Sequence, residues 1–364
     1  MNSTTLSLPG FDELEPPASA KIKAKSKKTS AKEASPNADS FFVAKKAKTR
    51  PFVARGKLAL SRIKTETIDD IYQCEKLWDE FSPKRIIFDT WEFRRAFNDA
   101  YKYKPHFVVF KHGKENVGLM PLCFNTDKQK YVWFGTEWQE EVDFMTKKPE
   151  LIPLMVSVAP KPLILNAIAH TSVSAIPKEE ADKLFAVDDP KYILDISNFK
   201  SHEDYLMTIK KNERRNLRKD CHKVERMSPK IIIDRFNDLD KLVDICVTRF
   251  TQKGEDTDWD DQRRIDAFKN VIKNTGKSYK IRMITIEVQG KAVGVDLIAT
   301  YNDTYFALKC GYDVYSCPGI GNYMNMFEIN DALKLGAKKI DFLQSSYQWK
   351  DKFFKPTQLF QHES

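Results

Sequence analysis

Residues 304–343 read TYFALKCGYDVYSCPGIGNYMNMFEINDALKLGAKKIDFL, and this run narrows the fold more than any other stretch. A strand-like run ends at Gly311-Tyr312-Asp313. The short loop Ser316-Cys317-Pro318-Gly319-Ile320-Gly321-Asn322 follows. A helical run then reaches about Leu335, and a second strand-like run begins after Gly336. Gly336 stands where a helix C-terminus wants a left-handed residue. Strand, loop, helix and strand in direct succession exclude an all-helical or an all-β chain and point to helices laid on a sheet. Glycines let a backbone approach a ligand, and free N–H groups at a helix start attract phosphate. The loop is therefore a candidate anion site, and a plain tight turn is the alternative.

The same order recurs along the chain. Strand-like KLALSRIK precedes a helix capped by Thr67 and ending at Phe81, and a second helix runs from Thr90 to about Tyr101. HFVVFK, VGLMPLCF and KYVWFG read as strands, as do KPLILNAI and KYILDIS, and Pro177–Pro190 marks a junction. In the second half one charged helix spans about 201–226. Strand KIIIDRF, helices over 237–252 and 260–274, strands YKIRMITIEV and AVGVDLIATY, and the run above follow, with KKIDFL as the last strand. The reading is α+β, with mostly antiparallel sheets flanked by helices. It has three parts: a disordered basic tail over 1–55, a domain over 56–185 and a domain over 186–364.

Charge is unevenly placed on the 364 residues, whose net formal charge is +9. Residues 1–57 hold 12 Lys/Arg and 5 Asp/Glu, residues 210–226 hold 8 and 3, and the remainder is near neutral. The tail has almost nothing to bury and cannot offset its ordering entropy. It suits plain solubilisation, or contact with a polyanion or a membrane surface; Asp12, Glu13 and Glu15 count against an organelle-targeting peptide. The six cysteines form no CxxC or Cys/His cluster, so no metal site is expected. With no signal core and no run of about 20 apolar residues, the expected setting is soluble and cytoplasmic. The oligomeric state is not legible.

Several polar residues invite a chemical role. Asp296 sits inside the apolar strand VGVDLIAT, as a structural residue or as a base. Asp313 precedes the loop and Asp341 opens the last strand. On the 201–226 helix, Arg215 and Arg218 share a charged side away from Leu217, suited to an anionic substrate or cofactor, to nucleic acid or simply to water. No HxxxD or GxSxG pattern supports a covalent serine-type enzyme.

The run over 304–350 resembles the C-terminal segment of the GNAT-fold acetyltransferase-like family associated with cellulose biosynthesis (CelD-like), which is related to the Fem-type peptidoglycan transferases. The resemblance rests on Gly311-Tyr312-Asp313, Cys317-Pro318-Gly319, Gly336, Asp341-Phe342-Leu343 and Trp349-Lys350, with Arg214-Arg215-Asn216-Leu217-Arg218 upstream. Cys317, Ser345 and Trp349 replace the family's Ser, Gly and Tyr, and Ser316 replaces the superfamily's Gln or Arg. The resemblance implies tandem GNAT-like domains and acyl transfer from acetyl-CoA or another acyl-CoA, with no metal. It implies a pyrophosphate at Ser316, Gly319, Ile320, Gly321 and Asn322. It adds Tyr347 and Lys350, after the last strand, as leaving-group acids beside the candidate carboxylates Asp296 and Asp341, with Arg215, Arg218 and Asp313 as candidate contacts to a small-molecule or polysaccharide-precursor acceptor. Fem-type transfer from aminoacyl-tRNA, or a non-catalytic interaction protein on the same fold, are the alternatives.

Overall fold

Alternating apolar side chains build the first sheet. The computed structural model describes residues 60–364, apart from positions 137, 139, 346 and 347 and the side chains at 348, 349 and 352. The expected tail lies outside the described residues. Strands β1 (Ile63–Ile68), β2 (Lys104–His112), β3 (Glu115–Asn125) and β4 (Lys130–Trp133) pair antiparallel in that order, and β5 (Met145–Thr146) pairs with β3. Helices α1 (Ile71–Phe81) and α2 (Trp91–Tyr101) lie between β1 and β2. Asp70 caps α1 through a 3.0 Å bond from the Gln73 N–H. Thr67, the expected cap, is instead part of β1, because Asp70 offers the side-chain acceptor where the backbone turns helical. Trp78 and Cys74 of α1 pack with Phe107, Leu119 and Phe134.

Three short helices, α3 (Ile152–Val158), α4 (His170–Ser174) and α5 (Lys178–Leu184), surround β6 (Ile164–Ala169). The second sheet has eight strands in the order β6-β13-β7-β12-β11-β10-β9-β8. They are β6, β7 (Ala186–Asp195), β8 (Lys230–Ile233), β9 (Lys280–Val288), β10 (Lys291–Tyr301), β11 (Thr304–Tyr312), β12 (Lys339–Gln344) and β13 (Lys355–Glu363). Strand β6, from the first half, thus joins the sheet of the second through β13. The expected last strand is followed by another, β13. Pro190 lies inside β7 and not in a linker, where the pairing with β13 shifts between Thr357 and Leu359 and no ladder N–H is needed.

The charged 201–226 segment is two helices, α6 (His202–Thr208) and α7 (Lys211–Glu225), because Ile209 and Lys210 are extended. Helices α8 (Leu239–Lys253) and α9 (Gln262–Lys273) cover one face of the second sheet. There Phe93 and Phe97 of α2 join Phe268, Leu297 and Phe306 in one core. Helix α10 (Ile320–Lys334) covers the opposite face, and a short helix α11 (Gln348–Phe353) precedes β13. No helix among the described residues is long and apolar enough to cross a membrane.

Candidate functional site

One extra residue in β11 opens the second sheet. Leu297 of β10 faces Lys309, but Ile298 faces Ala307, so Leu308 is a bulge with no partner in β10. The parallel ladder between β11 and β12 covers Thr304–Lys339, Tyr305–Ile340 and Phe306–Asp341 and ends there. Beyond Phe306 the two strands diverge, and the β12-facing edge of residues 307–312 has no ladder partner in β12. Unpaired backbone groups inside a sheet are costly unless another group meets them. On the far side of this slot, Lys350 Nζ donates to the Phe342 carbonyl at 2.8 Å and to the Gln344 carbonyl at 3.0 Å. The Gln344 N–H donates to Glu140 Oε2 at 2.6 Å.

Glu140 is buried, and burial raises its pKa above the ordinary value. The Gln344 N–H, Lys309 and Lys350 partly oppose that shift. Burial likewise lowers the pKa of Lys350, against the pull of Glu140. Lys309 lies 3.0 Å from Asp258 Oδ2, and its ammonium stands over the Trp138 ring at 5.0 Å. Cys310 is exposed in a crowded recess. Desolvation by the protein around it and the nearby Asp296 charge push its thiol up, which works against the thiolate form.

Behind Cys310 lies a carboxyl pair. Asp296 is the ladder partner of Cys310, and Gly294 that of Tyr312. A Cβ on Gly294 would stand 3.1 Å from Ile320 Cγ1 and 3.5 Å from Met324 Cγ, so this face lies under α10. Two residues on from Gly294 is Asp296, and one helical turn on from Met324 is Glu328. The two carboxyls meet there, both buried. Neither Asp296 oxygen has an aligned hydrogen-bond partner, and its polar neighbours are the Tyr312 hydroxyl and the Glu328 carboxyl. Burial pushes Asp296 up to about 7, against those two neighbours. Burial and the Asp296 charge push Glu328 well above the carboxylate range. A proton shared within the pair satisfies both. One turn further, Asp331 accepts from Arg282 Nη2 at 2.9 Å and from the Tyr305 hydroxyl at 3.2 Å.

The loop before α10 is organised by its own acid. Asp313 Oδ1 accepts from the Ser316 N–H at 2.9 Å, and Oδ2 from Lys291 Nζ at 2.8 Å. Burial raises the Asp313 pKa, but Lys291 and Ser316 outweigh it and hold the carboxyl below its usual range. The Ile320 N–H donates to the Cys317 carbonyl at 3.1 Å, and its side chain is buried under Gly294. Gly319 has φ +99°, and a Cβ there would stand 2.9 Å from Asp220 Cβ on α7. Asn322 Nδ2 donates to Asp220 Oδ2 at 2.8 Å. Among the described residues, the N–H groups of Gly319, Gly321 and Asn322 have no partner in the chain.

The expected site residues divide accordingly. The N–H groups of Gly319, Gly321 and Asn322 stay available to an anion, while those of Ser316 and Ile320 serve the loop. Asp313 shapes the loop. Asp341 is an internal ion-pair residue, with Lys191 Nζ 2.7 Å from Oδ2 and the Leu343 N–H 3.0 Å from Oδ1. Lys350 stands at the slot, Asp296 behind it, and Tyr347 lies outside the described residues. Helix α7 meets the loop through Asp220. Arg218 is paired with Glu203, and Arg215 is exposed, so neither arginine is brought to the loop. Glu140, Lys309, Cys310 and Glu328 carry no sequence signal of their own.

A family model described as Acetyltransferase (GNAT) domain matches residues 211–351. The crystal structure of FemX is similar over 82% of this chain and 97% of its own, with a TM-score of 0.54 and 9% identity. A tandem GNAT protein from the clavulanic acid biosynthesis pathway is similar over 83% of this chain and 98% of its own (TM-score 0.46, 8% identity). L-PGS from Bacillus licheniformis is similar over 75% and 91% (TM-score 0.47, 12% identity). No curated protein matches the chain. The chain has a GNAT fold, α+β, with mixed helices and sheets.

Proposed function

We propose that the protein transfers an acyl group from an acyl-CoA thioester to an amine or hydroxyl acceptor by direct attack. The observation that carries this is the slot. A bulge at Leu308 frees the edge of residues 307–312, and three unpartnered N–H groups stand at the start of α10 beside it. An amide-bearing arm can pair with such an edge as an added strand. Phosphates suit the unpartnered N–H groups and the positive end of the 15-residue helix.

In this reading the acceptor nitrogen or oxygen attacks the thioester carbonyl and gives its proton to Glu140. The carbon–sulfur bond breaks, and the departing thiolate takes a proton from Lys350. Burial favours the proton-holding form of Glu140 and the proton-releasing form of Lys350, which suits both transfers. Asp296, read from the sequence as a structural residue or as a base, lies behind the slot in its pair with Glu328. The acceptor in this reading is a small molecule or a polysaccharide precursor, as the resemblance to the cellulose-associated family implies.

A second reading, aminoacyl transfer from tRNA, draws on the family's relation to the Fem-type enzymes and on the likeness to FemX along both halves. Thermal unfolding and calorimetric titration with acetyl-CoA, longer acyl-CoAs and tRNA separate the readings, since a native-state ligand raises the midpoint. The expected result is a CoA thioester that binds. Binding of tRNA alone moves the assignment to the second reading. Binding of none leaves a non-catalytic interaction protein.

A further inference from the structure

Helix α7 carries one sign of charge on its outward side. Leu217, Cys221 and Val224 are buried on its inward side, where it packs on α10. At 3.6 residues per turn, Lys211, Arg215, Arg218, Lys219, His222 and Arg226 fall within about 60° of Arg215. The three acids of the segment, Glu213, Asp220 and Glu225, lie outside that sector. Glu225 nonetheless reaches His222 Nδ1 at 3.4 Å and Glu203 of α6 pairs with Arg218, so Lys211, Arg215, Lys219 and Arg226 carry the positive charge of the row. Lys211, Arg215, Lys219, His222 and Arg226 are exposed. Lys211, Arg215 and Lys219, one turn apart, have no hydrogen-bond or ion-pair partner among the described residues. Like charges at this spacing oppose helix formation, so the row does not serve the fold's own stability. It is about 22 Å long at 1.5 Å per residue.

Apolar side chains flank the row. Met207 is 65% exposed at the N-terminal end, its sulfur 3.3 Å from Arg214 Nη1. At the other end Tyr315 is 62% exposed, two residues from Cys317, whose sulfur lies 3.8 Å from that of Met227.

We propose that this face of α7 docks on an anionic lipid bilayer surface. The cations would meet headgroup phosphates, with Met207 and Tyr315 entering the interface. A straight, single-sign row suits a flat anionic surface. Outward α7 carries no aromatic side chain on which a base could stack, which disfavours single-stranded nucleic acid. The rest of the chain outside residues 1–57 and 210–226 is near neutral, so the positive potential of the folded part centres on this helix. The proposal is independent of the acyl-transfer reading and needs no substrate to be tested.

The experiment is co-sedimentation of the full chain with phosphatidylcholine vesicles, with and without phosphatidylglycerol, at low and at physiological salt. The wild type binds only the phosphatidylglycerol vesicles, and salt weakens that binding. The double substitution Arg215→Glu, Lys219→Glu lowers vesicle affinity at least ~10-fold. It keeps or slightly raises the wild-type unfolding midpoint, because both side chains are exposed and unpartnered and the row of like charges is broken. Arg215→Gln, Lys219→Gln gives a smaller loss in the same direction. Equal binding by wild type and the Glu variant overturns the proposal, since the basic N-terminal segment would then account for all of it. Failure of the wild type to bind phosphatidylglycerol vesicles overturns it too, as does binding to duplex RNA in place of vesicles.

Discussion

Replacing Asp296 with asparagine keeps the side chain's shape and removes one of the two carboxyls buried under α10. The ordinary carboxyl value is 3.8, and burial pushes Asp296 up to about 7. A folded-state value above the unfolded one means that the native state holds the proton more tightly. The associated stability is complete below pH ~4 and is lost as pH rises through about 7. The interval corresponds to roughly 4 kcal/mol, at about 1.36 kcal/mol per tenfold change in proton affinity. This is an upper figure, because Glu328 shares the proton. The groups facing Asp296 are Glu328 from α10 and Tyr305, Cys310 and Tyr312 from β11. Of these, Glu328 is pushed the same way and reinforces the trend.

Asparagine abolishes this component and relieves Glu328 of a neighbouring charge. Urea unfolding of both proteins, followed from pH 5 to pH 9 by circular dichroism, reads the effect as a difference of free energies. Near pH 5 the variant is equal to or slightly less stable than the wild type. Above pH 8 it is relatively more stable by a few kcal/mol, on the order of the figure above. A wild-type-minus-variant difference that stays constant across this range refutes the shared-proton reasoning. It would show Asp296 to be an ordinary structural carboxyl.

Two further outcomes follow from the slot. Lys350→Met leaves the Phe342 and Gln344 carbonyls without their donor and costs about 1–3 kcal/mol in urea unfolding, with a loss of transfer. Glu140→Gln leaves acetyl-CoA affinity by calorimetry within about twofold. It lowers acyl transfer by ~10²-fold or more and flattens the pH dependence, as loss of a general base requires.

The strand-loop-helix-strand run was legible because each of its elements is local. Gly336 stops the helix, the apolar runs are unambiguous, and the loop falls between them. What decides the site is not local. The bulge at Leu308 exists only in the pairing of β10 with β11, and nothing in FALKCGY marks it. Glu140 reaches Gln344 across 204 positions, a contact no periodicity encodes. Glu328 was hidden for a different reason. Helix α10 is buried almost all round, so its acids read as a solvent face when they are core residues. The 201–226 segment looked like one helix because its charges continue through the break at Ile209–Lys210. β13 was missed because KPTQLFQHE has few apolar residues, although it pairs between β6 and β7.

The two loop glycines are required by protein contacts as well as by any ligand, and their substitution separates the two causes. At Gly319 the backbone is left-handed, and a Cβ meets Asp220 Cβ at 2.9 Å and its carbonyl at 3.1 Å. Gly319→Ala therefore strains the fold by about 1–3 kcal/mol and moves α7 away from the loop. Gly321 differs. Its backbone needs no glycine, and a Cβ there meets only the Tyr312 ring, at 3.2 Å from Cδ2 and 3.4 Å from Cε2. An aromatic ring yields by a few tenths of an ångström, so Gly321→Ala should fold with a near-native midpoint. Gly321→Val pushes the ring further and turns a branched side chain toward the N–H groups left for the phosphates. Acetyl-CoA affinity by calorimetry should fall at least ~10-fold in the valine variant, about 1.4 kcal/mol, and much less in the alanine variant. Because Tyr312 abuts Asp296, the valine variant should also shift the pH dependence of stability. Equal acetyl-CoA affinity in wild type and Gly321→Val would remove the α10 N-terminus from the site and leave the slot without its phosphate end.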